Sequence, residues 1–361
     1  MITRRTAVAL AALLPAIRLP SRLDVEEIEH NAFDTTEVNN YSLSPDSSKI
    51  FGTLRNLELA VIDVATNEVI LTTNTEENEL ALKAVDLTSV RWSPDSTRLA
   101  YSMATGTTMR DSDINVLDAE TGEITGLTAE GFANETDRLK TDAEVFNDLF
   151  PAWQDDETLL FVRTEGIQPV DPPHVCTVNL ADGTVESVVD LGEAEIVGVE
   201  GLVHLVSDDR LVLQATFESR DSGIIVVATD GTVEQVNTEA IILPSLLDAN
   251  ESHAVMFDSA VSRYALVPLD GSGDIEYADE YFSLSPEPVT VVSAPICGPN
   301  ANEFAVLTEA DDIQRVLIMR DGERRSLGKL DKPAISPLLD WQGDTLFIGD
   351  REKYWLIDVA E

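Results

Sequence analysis

The residues able to do chemistry are scattered rather than gathered into a motif. A serine hydrolase needs a Gly-x-Ser-x-Gly elbow to expose its nucleophile, and none occurs in the 361 residues. The four histidines, His30, His174, His204 and His253, lie far apart and form no His-Glu-x-x-His pair, so they read as strand or loop residues rather than zinc ligands. Asp111-Ser112-Asp113-Ile114-Asn115 begins like a calcium loop of alternating oxygen ligands. However, Val116 stands where that loop needs glycine and Gly122 where it needs its closing glutamate, so the stretch reads as a solvated loop. No cofactor-binding pattern is present, and the chain reads as leaning away from catalysis.

A more regular set of carboxylates belongs to a repeat. Asp46, Asp95 and Asp156 recur in stretches such as Ser93-Pro94-Asp95-Ser96, each followed by a short apolar run. Proline presets φ and aspartate bonds its own backbone, so these are turns before they are catalysts. Trp92, Trp153 and Trp341 stand at matching places just before such turns and read as packing residues between units. Gly183, Gly231, Gly271 and Gly322 each follow an aspartate in a second kind of turn, as hairpins require, and make no phosphate loop.

The stretch from Val90 to Thr128 gives the full unit: a run ending at Trp92, a turn, a strand over Leu99–Ser102, a loop, then strands Ile114–Leu117 and Ile124–Leu127 about the Glu120-Thr121-Gly122-Glu123 turn. Four short antiparallel strands per unit, recurring along a chain, are the pattern of a propeller blade. About seven units can be counted from Tyr41, and the last lacks its fourth strand. The expectation is an all-β, seven-bladed β-propeller of four-stranded antiparallel blades. The N-terminal strand joins the last blade and closes the ring, with a strand from Asp24–Val38 paired to Tyr354–Val359. On this reading residues 1–22 are an export signal or a flexible leader, and 23–361 form a single propeller domain.

Charge is the outlying property. Lys+Arg number 24 against 66 Asp+Glu, for a net charge of -42, and only six of the bases are lysine. The acids are spread through the turns, which makes them a surface property. Such a surface suits a high-salt setting in which cations act as screening counterions; a cation-binding surface is the rival reading. Every phosphate contact would meet repulsion, which argues against nucleic acid. Cys176 and Cys297 fall in different units and read as buried free thiols rather than a disulfide.

Arg4-Arg5 precede an apolar run, Thr6 to Ile17, that is too short to span a bilayer as a helix. A paired arginine before a short hydrophobic stretch looks like a twin-arginine export signal. That places the protein outside the cytoplasm or at the cell surface, with a cytoplasmic location as the alternative. No clean Ala-x-Ala site follows, and Arg18 and Arg22 sit just beyond the run.

The Trp92-Ser93-Pro94-Asp95-Ser96-Thr97 and Ser42-Leu43-Ser44-Pro45-Asp46-Ser47-Ser48 turns resemble the TolB-type propeller repeat, which also occurs in the propeller domains of prolyl oligopeptidase relatives. The resemblance is good over the first three units and fades to strand rhythm in the fourth to sixth. It is WD-repeat-like but lacks the Gly-His and Trp-Asp pairs of true WD repeats. It implies a propeller that binds another protein or occludes a partner domain, and it implies no shared chemistry.

In such a blade the loop between the second and third strands and the crossing to the next blade share one face. The long loops belong to that class: Ala104–Asp111, Ala129–Asp148 and Thr164–Pro173. They carry polar groups without evident packing duty, giving a candidate ligand or partner face of Arg110, Asp111, Asp137, Arg138, Lys140, Asp142, Glu144, Asp148 and Arg163. The favoured reading is a non-enzymatic binding or scaffold propeller whose partner is another protein. The alternatives are a propeller lyase or glycoside hydrolase with carboxylates at the channel mouth, or an accessory propeller of a separate hydrolase chain.

Overall fold

A computed structural model of the chain describes residues 27–33, 38–54, 59–72, 89–104, 112–128, 146–165, 172–200, 204–207, 209–236, 244–271, 274–283, 289–320 and 322–360. The fold is an all-β propeller of four-stranded antiparallel sheets, as the repeat predicted. The first unit shows the pattern, with strands Val38–Leu43, Lys49–Leu54, Leu59–Asp63 and Val69–Thr72 paired in sequence order. Its two middle strands bury nearly every residue, because both sheet faces are covered. The outer strand alternates between half-buried and exposed side chains.

The second and third units form one eight-stranded sheet, joined where Asn147 meets Ser112 in a parallel bridge. In the fourth and sixth units the first strand is broken into two pieces, Ile196–Val199 with His204–Ser207, and Thr290–Val291 with Ile296–Cys297. The fifth unit is a regular meander from Pro244–Ala249 to Glu276–Tyr277.

The Ser-Pro-Asp turns form by the chemistry expected of them. Ser93 Oγ donates to Asp95 Oδ1 at 2.6 Å, Thr97 N donates to the same oxygen at 3.0 Å, and Arg98 N donates to Ser93 Oγ at 2.9 Å. Ser44, Asp46, Ser48 and Lys49 repeat that set. Ser47 and Ser96 take up the left-handed conformation in these turns. In the third unit it is Asp155 that accepts from Glu157 N at 2.8 Å. Asp156 reaches back instead and accepts from Asp95 N of the preceding unit at 2.9 Å.

The core is distributed between neighbouring sheets, in clusters that each draw on two consecutive units. Trp92 packs with Phe51 and Val61 of the first unit, Trp153 with Ala100 and Ile114 of the second, and Trp341 with Ala305 and Leu307 of the sixth. The three tryptophans thus do the packing assigned to them. Another cluster joins the first unit to the last through Leu43, Ile50, Ile62, Phe347 and Tyr354, with Phe33 among them.

The N-terminal segment touches two units. Glu27–Ile28 runs parallel to the outer strand of the sixth unit, a pairing the sequence did not suggest. Asn31 and Ala32 then pair antiparallel with Tyr354 and Lys353, and Phe33 N donates to Glu352 O at 3.1 Å. Two short helical turns, Leu191–Ala194 and Ala278–Tyr281, are the helical segments among the described residues. Ser112–Asp118, read in part as a solvated loop, is a strand, with Ser112, Asp113 and Asn115 buried; its side chains pack under neighbouring sheet rather than facing water.

The pairing of the N-terminal strand with Lys353 and Tyr354 has a direct test. Phe33 is 7% exposed, and full burial of such a side chain is worth roughly 2 kcal/mol. Removing residues 1–36 should therefore lower the melting midpoint by roughly 3 °C relative to removing 1–22. Equal midpoints for the two truncations would show that the segment does not hold the fold together.

Candidate functional site

Three of the residues proposed for the partner face, or their neighbours, are the stems of long loops, and the sheet brings those stems together. Ala104 pairs with Ser112, Ser112 bridges Asn147, and Asn147 pairs with Thr164. The ends of the loops 105–111, 129–145 and 166–171 are thereby gathered at one place between the second and third units. Asp148 and Arg163 sit there. Arg163 donates to Asp148 through Nε at 2.8 Å and Nη2 at 2.7 Å, a two-point contact that fits planar guanidinium to planar carboxylate. Asp148 is 1% exposed, and the Arg163 guanidinium also lies 4.5 Å over the Phe146 ring. The pair fixes the sheet at the loop stems. Arg110, Asp111, Asp137, Arg138, Lys140, Asp142 and Glu144 lie outside the described residues.

The floor at this place is polar for a sheet interior. Ser102, Ser112, Asp113 and Asn115 are buried beside Asp148. Phe150 N donates to Ser102 Oγ at 3.1 Å, and Asn115 Nδ2 donates to Asp113 O at 3.1 Å. Buried polar groups of this kind hold a surface loop in one arrangement when they are bonded.

The histidines remain apart. His30 Nδ1 is 2.6 Å from Asp331, His174 is 3.2 Å from Ser187 Oγ, and His253 stands edge-on to Phe304. Burial lowers the His253 pKa. Cys176 and Cys297 are buried free thiols, and burial pushes the Cys176 thiol up to about 11, far from a reactive thiolate.

A second location was not singled out in the sequence. A cavity of about 800 Å³ runs along the first strands of the units. Its lining takes one residue from the same repeat position in successive units, the residue before the tryptophan place: Ser42, Arg91, Ala152, Leu205, Asp248, Ile296 and Asp340. An alignment of the turns alone would have exposed that position. The position carries no sequence signature, because its residue type changes from unit to unit while the turn residues recur.

Asp248 and Asp340 each strap their unit to the next. Asp340 Oδ2 accepts from Leu43 N at 2.7 Å, and Asp248 Oδ2 accepts from Cys297 N at 2.7 Å. Gln342 Nε2 also donates to Asp340 at 3.0 Å. Burial raises the Asp340 pKa above the usual carboxylate range, against these bonds, and the Asp248 charge raises it further. The turn carboxylates behave oppositely. For Asp46 and Asp95 burial opposes ionisation, but the serine, threonine and backbone donors outweigh it and their pKa values fall. On the linkage rule, a lowered carboxylate stabilises the fold above its unfolded pKa and loses that contribution as acid protonates it. Asp340 has the reverse sign, and its strain is relieved as pH falls.

No protein-family model matches the chain, and no curated protein matches it in sequence. Solved structures do match in shape. The WD40 repeats of RRP9 align with a TM-score of 0.57 at 13% identity, over 92% of this chain and 99% of that one. The oligogalacturonate lyase of Vibrio parahaemolyticus aligns at 0.55 and 12%, over 94% and 99%. The β-propeller domain of Myceliophteria thermophila Cps50 (Swd1) aligns at 0.52 and 9%, over 91% and 99%. The chain has a WD-repeat-like β-propeller fold. At these identities the likeness concerns the fold alone. Among the described residues no helix is long and apolar enough to cross a membrane.

Proposed function

We propose that this protein is a non-enzymatic binding propeller that holds another protein on its long-loop face. The observation that carries the reading is the gathering of three loop stems on one bonded polar floor, with Asp148 and Arg163 fixed beneath them. A rigid sheet that presents several adjacent loops is a binding platform. The RRP9 and Cps50 likenesses are of repeat propellers and agree with it. Arg110, Arg138 and Lys140 interrupt an otherwise acidic stretch of sequence, so an anionic group on the partner would pair with them while the acids repel poor matches.

The test is chemical cross-linking of the purified chain to its partner in the source cell extract, with the captured protein then purified and titrated against variants. Charge reversal at Arg138 and Lys140 should weaken that binding by about tenfold or more, the loss of roughly 1.4 kcal/mol, without moving the melting midpoint. Undiminished affinity would refute the long-loop face.

An enzymatic reading has one specific observation in its favour: two channel carboxylates, one with a raised pKa, on the same fold as a lyase. A general acid is tuned in this way. Against it, both carboxylates are engaged in backbone straps between units, which is a structural duty. The accessory-propeller reading differs from the favoured one only in that the bound protein is a hydrolase, and the captured partner decides it.

We infer further that the acidic surface is an adaptation to high salt. With a net charge of -42, self-repulsion falls as the Debye length shortens from about 30 Å at 0.01 M to about 3 Å at 1 M. The melting midpoint should rise over that range of KCl, and a flat profile would remove the basis for this reading.

Export through a twin-arginine route is the accompanying proposal, resting on Arg4-Arg5 before the short apolar run. Arg4→Lys with Arg5→Lys should keep the protein in the cytoplasm; identical distribution of both forms would refute that route.

A further inference from the structure

Bases are scarce in this chain, and the sixth unit holds a disproportionate share of them. Six of the 24 lysines and arginines fall between Arg315 and Lys332, against three acids in the same stretch. The outer strand of that unit, Glu323–Leu330, carries Arg324, Arg325 and Lys329. The outer strands of the first five units, Val69–Thr72, Ile124–Gly126, Val185–Asp190, Val233–Val236 and Glu276–Tyr277, carry no base at all. Charged side chains on a sheet edge keep strands of like charge away. Acids on an edge repel acidic polypeptide; bases on an edge attract it.

The register puts three of these bases on one face. Arg315 pairs directly with Lys329, and Met319 with Arg324. Met319 and Leu317 pack in the cluster shared with the fifth unit, so Arg315, Arg324 and Lys329 lie on that side of the sheet. Arg315 and Lys329 are like charges directly opposite each other, an arrangement that costs stability unless an anion lies beside them. Lys329 has one, for Glu27 Oε1 lies 3.3 Å from its Nζ. Arg324, which is exposed, donates instead to a carbonyl, Ser283 O at 2.8 Å. Glu27–Ile28 shows how the edge is read. It runs parallel to Lys329–Leu330, with the acid on the basic face and Ile28 packed against the core shared with the last unit. Among the described residues, nothing pairs with the outer side of Glu323–Gly328, the rest of the strand.

We propose that the outer edge of the sixth unit binds an extended, acidic segment of a partner protein, added as a strand along Glu323–Gly328. Its backbone continues the ladder that Glu27–Ile28 begins, and its carboxylates lie on the face of Arg315 and Arg324. Side chains alternate across a strand, so the fitting segment alternates acids with apolar residues, as Glu27-Ile28 does. Backbone pairing supplies affinity and the alternation supplies specificity. The edge is a separate surface from the long-loop face between the second and third units, so either reading can fail without the other.

The experiment uses the full chain and short fluorescein-labelled peptides, at nanomolar concentration, in which glutamate, glutamine or lysine alternates with valine. Binding is read by anisotropy in molar KCl, where repulsion from the acidic surface is screened. The glutamate peptide should bind about fivefold or more tighter than the glutamine peptide, and the lysine peptide weakest of all. That preference should vanish in Arg315→Gln/Arg324→Gln and persist in Arg210→Gln/Arg220→Gln, which removes the same charge from the fourth unit. Two further glutamate peptides, N-methylated at odd or at even backbone positions, keep the charge. The one whose methyl groups face the edge should lose binding to the wild type while the other retains it, an arm that stands even if the sixth-unit variant does not fold. The inference is overturned by absence of the preference in the wild type, by its survival in the sixth-unit variant, or by equal loss in the fourth-unit variant. Equal binding of the two methylated peptides, or loss through Arg138→Gln/Lys140→Gln, overturns it too. Binding that appears only after removal of residues 1–26 would assign the edge to the chain's own N-terminal segment and overturn it likewise.

Discussion

The fold depends on the contact between the apolar faces of neighbouring sheets. A four-stranded sheet whose middle strands carry runs such as Leu99-Ala100-Tyr101 is apolar on both sides, and alone it could hide neither. Each face is covered by the next unit, so the core is a series of interleaved layers and not one central mass. The layer that joins first unit to last gives those two sheets the same cover as the rest. It also explains the use made of Phe33 and the short N-terminal strands, which occupy outer edges that would otherwise offer unpaired backbone groups.

Polar groups reinforce this stacking with a rule of their own. Lys49 Nζ donates to Ser96 O at 3.2 Å, and Arg98 Nη2 donates to Asp156 O at 2.8 Å, the same position in successive units reaching the turn of the next. Trp92 Nε1 donates to Ser42 O at 3.1 Å and Trp153 Nε1 to Arg91 O at 3.0 Å, again one unit back. Scarce bases are thus spent between units, where a donor meets a carbonyl, while acids take the turns. Most of the acids stay at the surface, and among the described residues Asp113, Asp148, Asp258, Glu303 and Asp350 are buried.

The two candidate sites follow from this architecture in different ways. The proposed long-loop face rests on the gathering of loop stems between the second and third units. The channel exists because first strands converge on an axis, and its chemistry is set by whichever residue stands at one repeat position. Arg163 illustrates the difference between availability in sequence and in space: the sequence gives it no packing duty, but Asp148 and Phe146 hold it at the loop stems.

The sequence by itself determined the fold class, the turn chemistry, the packing role of the three tryptophans and the pairing of a segment before Val38 with the last unit. These are legible because turns and strand periods depend on local residue type, and a repeat states them several times. Only the tertiary structure decided what stands at the channel and at the loop stems. Asp248 and Asp340 are 92 residues apart by number, and no local pattern relates them; their proximity arises when separate units meet around an axis. Likewise Ser112–Asp118 read as partly solvated because its polar residues are local facts, while its burial is conferred by neighbouring sheets. Local chemistry sets each unit, and the meeting of units sets the sites.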